Sequence, residues 1–203
     1  MASEAFDYII VGAGAGGCVL AARLTEDKDV KVLLLEAGGP DSSLYMHMPL
    51  GWRQIWRGPM HNWNFYSEPE PYADNRKFLA PRGKTLGGST SINGMLYVRG
   101  HPRDYDEWRQ LGADGWSYAD VLPYFKKSEG YWGGETKFHG GSGPTGTTRI
   151  RTEGLHYDAF MASARAAGHA VTDDINGDHP EGFTPVDIMV KDGVRSSAAN
   201  SYL

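Results

Sequence analysis

The first apolar run, Phe6-Asp7-Tyr8-Ile9-Ile10-Val11, stops at Gly12-Ala13-Gly14-Ala15-Gly16-Gly17. A second run, Val30-Lys31-Val32-Leu33-Leu34-Leu35, ends at Glu36. Both runs are nearly continuous rather than alternating, the pattern of parallel strands covered on both faces. Between them, Val19, Leu20, Ala22, Arg23 and Leu24 follow the glycines and lead to Thr25-Glu26-Asp27, which predicts one helix. Residues 6–36 therefore read as a β-α-β unit.

From 37 to about 80 the periodicity disappears. Gly38-Gly39-Pro40, Met48-Pro49, Gly58-Pro59 and Glu68-Pro69-Glu70-Pro71 punctuate a segment holding Trp52, Trp56, Trp63, Phe65 and Tyr66. So much apolar surface must be buried somewhere. Core packing or a dimer contact is the favoured role of the tryptophans, ahead of a substrate wall. A second glycine turn spans Arg82–Ser91, and a helix is predicted from about 89 to 98. Further helices are predicted over Asp104–Leu111, ended by Gly112, and over Ser117–Glu129, opened by a Ser-x-x-Asp capping pattern. After a glycine-rich stretch at 130–146 come a short strand near 147–152, a helix over Asp158–Ala167 and a strand-like run at Val186–Val190. The last residues, Arg195-Ser196-Ser197-Ala198-Ala199 onward, read as the opening of a helix.

Composition narrows the class without naming it. With 40% hydrophobic and 22% charged residues, the 203-residue chain is globular rather than disordered. A net charge of −5 gives no electrostatic reason to expect a nucleic acid or an anionic membrane as partner. No run approaches a membrane span, and no basic leader precedes the first strand. The single cysteine, Cys18, excludes an internal disulfide and reads as a small buried residue of the first helix. A cytoplasmic location is the expectation.

The glycines carry the first chemistry. In Gly12-x-Gly14-x-x-Gly17 the first glycine permits a tight turn, the second lets a pyrophosphate approach the backbone, and the third lets helix and strand pack closely. The helix N-terminus offers unpaired N–H groups to phosphate. Glu36 follows Gly17 at the spacing of about 20 residues that places a carboxylate on the ribose hydroxyls, and it would repel a 2′-phosphate. A dinucleotide site follows. Gly83-Lys84-Thr85 is no P-loop, since Phe78 stands where that motif needs glycine. The histidines His47, His61, His101, His139, His156, His169 and His179 lack metal-ligand spacing and read as surface or structural groups. Ser89-Thr90-Ser91 has no histidine base at motif spacing, and taken alone it reads as a helix cap.

Gly83-Lys84-Thr85-Leu86-Gly87-Gly88-Ser89-Thr90-Ser91-Ile92-Asn93-Gly94-Met95-Leu96-Tyr97-Val98-Arg99-Gly100, reaching Asp106, resembles the first signature of the glucose–methanol–choline (GMC) flavoprotein oxidoreductases. The Glu36-Ala37-Gly38 end of the first unit, Asn62-Trp63 before Glu68-Pro69, and Arg195-Ser196-Ser197-Ala198-Ala199 resemble the same family. The likeness covers essentially the whole chain and is nearest the bacterial choline and alcohol dehydrogenase branch.

The resemblance implies an α/β fold with a Rossmann-like, doubly wound parallel sheet that binds FAD, elaborated by helical and loop excursions. It implies an FAD-binding region over 1–150 and the start of a substrate region over 151–203. By position, Gly12, Gly14, Ala15, Gly16 and Gly17 belong to the pyrophosphate turn, and Glu36 and Ala37 to the adenosine end. Arg82, Gly87, Gly88, Ser89, Asn93, Gly94, Met95 and Tyr97 belong to the flavin side. Some members carry a histidine bonded to the flavin just before this asparagine. Ile92 stands there instead, which implies non-covalent FAD. The implied reaction is oxidation of a small alcohol to a carbonyl. Hydroxynitrile lyases share the fold, and an inactive FAD-binding fragment is a further alternative. The proton-abstracting histidine of the family lies far towards the C-terminus, so no catalytic residue is assigned. The parallel sheet is expected to be incomplete, either because the enzyme is nicked or split and a second chain carries the C-terminal part, or because the product is truncated.

Overall fold

The computed structural model describes residues 5–153 and 156–203, which divide into two compact units. One comprises the residues up to Met95 together with Asp192–Leu203, and the other comprises Leu96–Lys191. The last twelve residues return to the first unit.

The first unit opens as its apolar runs predict. β1 (Tyr8–Val11), α1 (Ala15–Leu24) and β2 (Val32–Leu35) form a β-α-β unit, with β1 and β2 parallel in the register Tyr8↔Val32 to Val11↔Leu35. This is the opening unit of a Rossmann-like α/β fold. Gly17 makes it possible: a side chain there would drive its Cβ into the Gly12 carbonyl, with Ile10 of β1 close behind. Cys18 is fully buried, as expected, and its Sγ donates to the Ala13 carbonyl at 3.1 Å. The expectation of strands covered on both faces is not met. Ile9 is 62% and Val11 84% exposed on the face away from α1.

The aperiodic segment carries α2 (Leu44–His47), α3 (Trp52–Arg57) and an antiparallel pair of short strands, β3 (Phe65–Tyr66) and β4 (Leu79–Ala80). Met46 and Ile55 from the two helices bury against Ile92, with Trp56 packed alongside. Trp56 also donates Nε1–H to the Ile92 carbonyl at 2.7 Å, so its indole is both packed and satisfied. The helix predicted at 89–98 does not form. A 3₁₀ turn covers Gly88–Ser91 and the chain then runs irregularly, with Met95 at φ 64°. The hydroxyls explain the difference. Thr90 Oγ1 donates to the Gly87 carbonyl and Ser91 Oγ to the Leu86 carbonyl, local bonds that compete with a helical ladder.

The second unit contains α4 (Pro102–Gln110), α5 (Tyr118–Ser128), β5 (Glu129–Gly130), β6 (Thr145–Gly146), β7 (Thr148–Arg149), α6 (Tyr157–Ala166) and β8 (Asp187–Ile188). β5 pairs parallel with β6, and β7 antiparallel with β8. Both α4 and α5 begin with capping boxes, Ser117 with Asp120 as predicted and His101 with Asp104. The second cap starts α4 two residues earlier than its predicted Asp104, because Pro102 occupies the first helical turn without needing an N–H partner.

His139 anchors this unit as a structural group. Its ring is buried, with Nδ1 2.9 Å from Glu129 Oε1 and Nε2 2.8 Å from Asp174 Oδ2. Tyr131 stacks on it at 3.8 Å, and the fully buried Glu129 also accepts from Arg99 Nη2 at 2.8 Å. Burial opposes the imidazolium, but the bonds to Asp174 and Glu129 outweigh it and raise the His139 pKa to about 9. Because the folded value lies above the ordinary 6.5, this contribution is complete below pH 6.5 and disappears as pH rises through 9. The unfolding temperature should therefore fall between pH 6.5 and pH 9. His139→Gln should lower stability by about 3 kcal/mol at neutral pH, the scale for removing one partner from a buried ion pair. It should also flatten that pH dependence, read by thermal unfolding across the range.

Candidate functional site

The two glycine turns of the first unit meet backbone to backbone. Gly87 donates its N–H to the Ala13 carbonyl at 2.7 Å. Gly88, at φ 53°, comes so close to the first turn that an added Cβ would lie 2.8 Å from Gly14 Cα. Asn62 and Gly83 form an antiparallel bridge, and the Asn62 side chain accepts from Arg82 N–H at 3.0 Å. These contacts bring three separate stretches of chain around one cavity of about 640 Å³. It is lined by Gly12, Gly14, Glu36 and Ala37 from the first turn and β2 end, and by Gly83, Gly88 and Ser89 from the signature turn. Val11, Leu35 and Trp63 add apolar surface.

Glu36, the residue after β2, stands on the cavity wall. Its Oε2 accepts from Ala13 N–H and its Oε1 from Gly38 N–H, both at 2.8 Å. The carboxylate therefore fixes the shape of the first turn, and each oxygen keeps a further acceptor site. α1 starts at Ala15 with Gly14 as N-cap and no side-chain cap, so its first N–H groups are offered outward with the positive end of the helix dipole. Around Gly12, Gly14 and Gly16 a Cβ would meet open space. That space and those donors suit a pyrophosphate.

The predicted residues are not all placed in the same way. Gly12, Gly14, Glu36, Ala37, Gly88 and Ser89 line the cavity. Ala15, Gly16 and Gly17 form the first turn of α1 behind it, and Gly87 is buried under the contact with Ala13. The Arg82 side chain turns to the Pro81 carbonyl, 2.8 Å from Nη1, and is exposed. Asn93 and Met95 follow the 3₁₀ turn, where Asn93 Oδ1 accepts from Met95 N–H at 3.0 Å and holds its left-handed backbone; Gly94 between them is exposed. Tyr97 belongs to the second unit, where its N–H donates to the Asp187 carbonyl at 2.9 Å.

Sequence reasoning passed over Val11, Leu35 and Gly83 as cavity residues, and ranked a wall role for Trp63 behind core packing or a dimer contact. Trp63 faces the cavity rather than only packing or meeting a second copy, with Phe65 stacked on it and Lys84 Nζ 4.5 Å from its ring centroid. Its available signal was the Asn62-Trp63 pair itself, since periodicity gives none there. Arg195 was also passed over as a site residue. It is 2% exposed, and its guanidinium donates only to uncharged oxygens: Met46 O from Nε at 2.7 Å, and Thr90 O, Asn93 O and Asn93 Oδ1 from Nη1 at 3.3, 2.8 and 2.9 Å. Burial without a facing carboxylate lowers its pKa to about 10, which leaves it charged at neutral pH.

A glycine-turn β-α-β unit, an acidic residue closing β2 and a second glycine turn against the first define a dinucleotide-binding flavoprotein type of site. Residues 6–203 match the family model described as GMC oxidoreductase, and the chain belongs to that family. The chain is 48% identical over 200 residues to an oxygen-dependent choline dehydrogenase of Photobacterium profundum, spanning 98% of this chain and 35% of that protein. A similar enzyme of Sinorhizobium fredii is 48% identical over 199 residues, 97% of this chain and 36% of that protein. Among solved structures, pyridoxine 4-oxidase from Mesorbium loti superposes with a TM-score of 0.90 at 30% identity, covering 98% of this chain and 39% of that one. An FAD-dependent oxidoreductase from Chaetomium thermophilum gives 0.87 at 28%, covering 98% and 36%. The chain thus spans little more than a third of the length of these relatives.

The cavity separates two glycines by their roles. Gly17→Ala should cost about 3 kcal/mol in denaturant unfolding, the upper range for a side chain forced into packed backbone. Gly14→Ala, whose Cβ meets nothing, should change stability by less than about 1 kcal/mol.

Proposed function

We propose that this chain forms the FAD-holding portion of a flavoprotein that oxidises a small alcohol to a carbonyl. The observation that carries the reading is the cavity that gathers the first glycine turn, Glu36 and the signature turn on common walls. The open space at Gly12, Gly14 and Gly16 and the uncapped start of α1 receive the pyrophosphate. Glu36 accepts from the adenosine ribose with the lone pairs its two backbone bonds leave free. Trp63, Val11 and Leu35 supply apolar surface for a ring. When bound, FAD accepts the hydride that leaves the alcohol carbon.

Binding is non-covalent in this reading. Ile92 occupies the position from which a histidine would reach the flavin, and its side chain has no nucleophilic atom and is buried against Met46 and Ile55. Choline is the first alcohol to test, because the choline dehydrogenases match the chain over nearly its whole length. No helix among the described residues is long and apolar enough to cross a membrane.

The test is a visible absorption spectrum of the purified protein titrated with FAD, followed by acid precipitation. Saturable flavin bands and release of free FAD into the supernatant are expected, and Gly14→Ala should weaken binding at least tenfold, a loss of ~1.4 kcal/mol. Failure to bind would overturn the reading, and flavin left on the precipitated polypeptide would overturn its non-covalent part. Anaerobic bleaching of the flavin by choline, measured with the chain joined to the C-terminal portion that carries the family's proton-abstracting histidine, checks the reaction itself; bands unchanged there by choline and by simple primary alcohols would reject alcohol oxidation.

A further inference from the structure

We propose that His139 is the pin of a proton-held latch, which clamps the loop around Asp174 and Asn176 onto the backbone of Tyr97 and Arg99 and frees it when the imidazolium loses its proton. All of its parts belong to the second unit, and it needs no bound ligand.

The clamp is the side-chain amide of Asn176, a residue only 3% exposed. Its Oδ1 accepts from Arg99 N–H at 2.9 Å, and its Nδ2 donates to the Tyr97 carbonyl at 3.0 Å. One amide thus does for this stretch what a residue of a paired strand does, accepting from one backbone N–H and donating to one carbonyl. Its orientation is fixed, because an N–H cannot accept and a carbonyl cannot donate.

Asn176 is held in turn by Asp174. Oδ1 of that carboxylate accepts from Asn176 N–H at 2.9 Å, while Oδ2 meets His139 Nε2 at 2.8 Å. On the other side of the imidazole, Nδ1 meets Glu129 Oε1 at 2.9 Å. Glu129 Oε2 also accepts from Arg99 Nη2 and Gly140 N–H, at 2.8 and 2.9 Å. The bonds close a ring: from the Arg99 guanidinium through Glu129, His139, Asp174 and Asn176, back to the Arg99 N–H.

Only an imidazolium completes that ring, since both of its nitrogens must donate to carboxylates. A neutral imidazole keeps one N–H and turns a lone pair on the other carboxylate. Burial decides which partner is lost. The Glu129 side chain is 0% exposed and keeps two further donors, so it retains Nδ1–H. The Asp174 side chain is 32% exposed and can turn into water. Its departure removes the acceptor of Asn176 N–H, and the amide clamp opens. Two other titratable groups act here. Arg149 favours the ionised form of Asp174 from a distance while it is bonded to Asp187. Tyr131, stacked on the imidazole, has its pKa raised by burial. The closed latch binds the proton more tightly than the open one, with a His139 pKa of about 9. It is therefore shut at neutral pH and opens as pH rises through that value.

Amide hydrogen exchange of the purified protein, followed residue by residue by NMR and corrected for the intrinsic acceleration with pH, reads the latch directly. The Arg99 and Asn176 amides should lose protection about tenfold between pH 9 and pH 10, the slope of one released proton. Tyr97 N–H, bonded to the Asp187 carbonyl, should keep its protection over the same range. Asp174→Asn removes the need for the proton: its Oδ1 still takes Asn176 N–H, and its NH₂ group donates to a neutral Nε2. In that variant the Arg99 and Asn176 amides should stay protected at pH 10. Equal loss at all three amides of the wild type would mean that the unit unfolds as a whole, and would overturn the latch. So would wild-type Arg99 and Asn176 amides still protected at pH 10, or an Asp174→Asn profile that matches the wild type.

Discussion

Gly87 donates its amide hydrogen to the Ala13 carbonyl, and the organisation of the first unit follows from that backbone contact. Two turns more than seventy residues apart in sequence can meet this closely only where neither presents a side chain to the other. Ala13 is completely buried at the junction, and its N–H is taken by Glu36. The same residue thus links the signature turn to the acidic end of β2. Remove the contact and the cavity loses the wall that faces α1.

A second constraint holds the signature turn from behind. Residues 192–203 return to the first unit, and Ala198 donates its N–H to Thr90 Oγ1 at 2.8 Å while Ser197 caps the short helix Ala198–Tyr202. Thr90 is thereby spent on structure, passing one hydrogen bond to the Gly87 carbonyl and receiving another. The polar residues of this turn are arranged as a chain of local bonds rather than as a reactive serine or threonine.

The legible parts of the chain were those where one local rule has one structural outcome. The apolar runs at 6–11 and 30–35, the glycine spacing and Glu36 marked the β-α-β unit, because an apolar parallel pair joined through a tight glycine turn admits few other sequences. Ser117 with Asp120 marked a helix start through the same logic. The region after Ser91 misled, since Ser and Thr side chains can bond the backbone locally as readily as they cap a helix. Trp63 and Arg195 were illegible as site residues for a different reason. Each is set by partners far along the chain, Asn62 against Gly83 in one case and Met46 with Asn93 in the other, and no periodicity encodes such contacts.

Cys18 turns the junction into something that can be timed. Its thiol donates to the carbonyl of Ala13 that also receives Gly87, and burial pushes its pKa up. A thiol in that state is inert to alkylating reagents. Being the chain's lone cysteine, it becomes reactive only when the packing around this junction opens. The pace at which a maleimide consumes it is therefore a clock for the breathing of the nucleotide cradle, built into the protein without any added label.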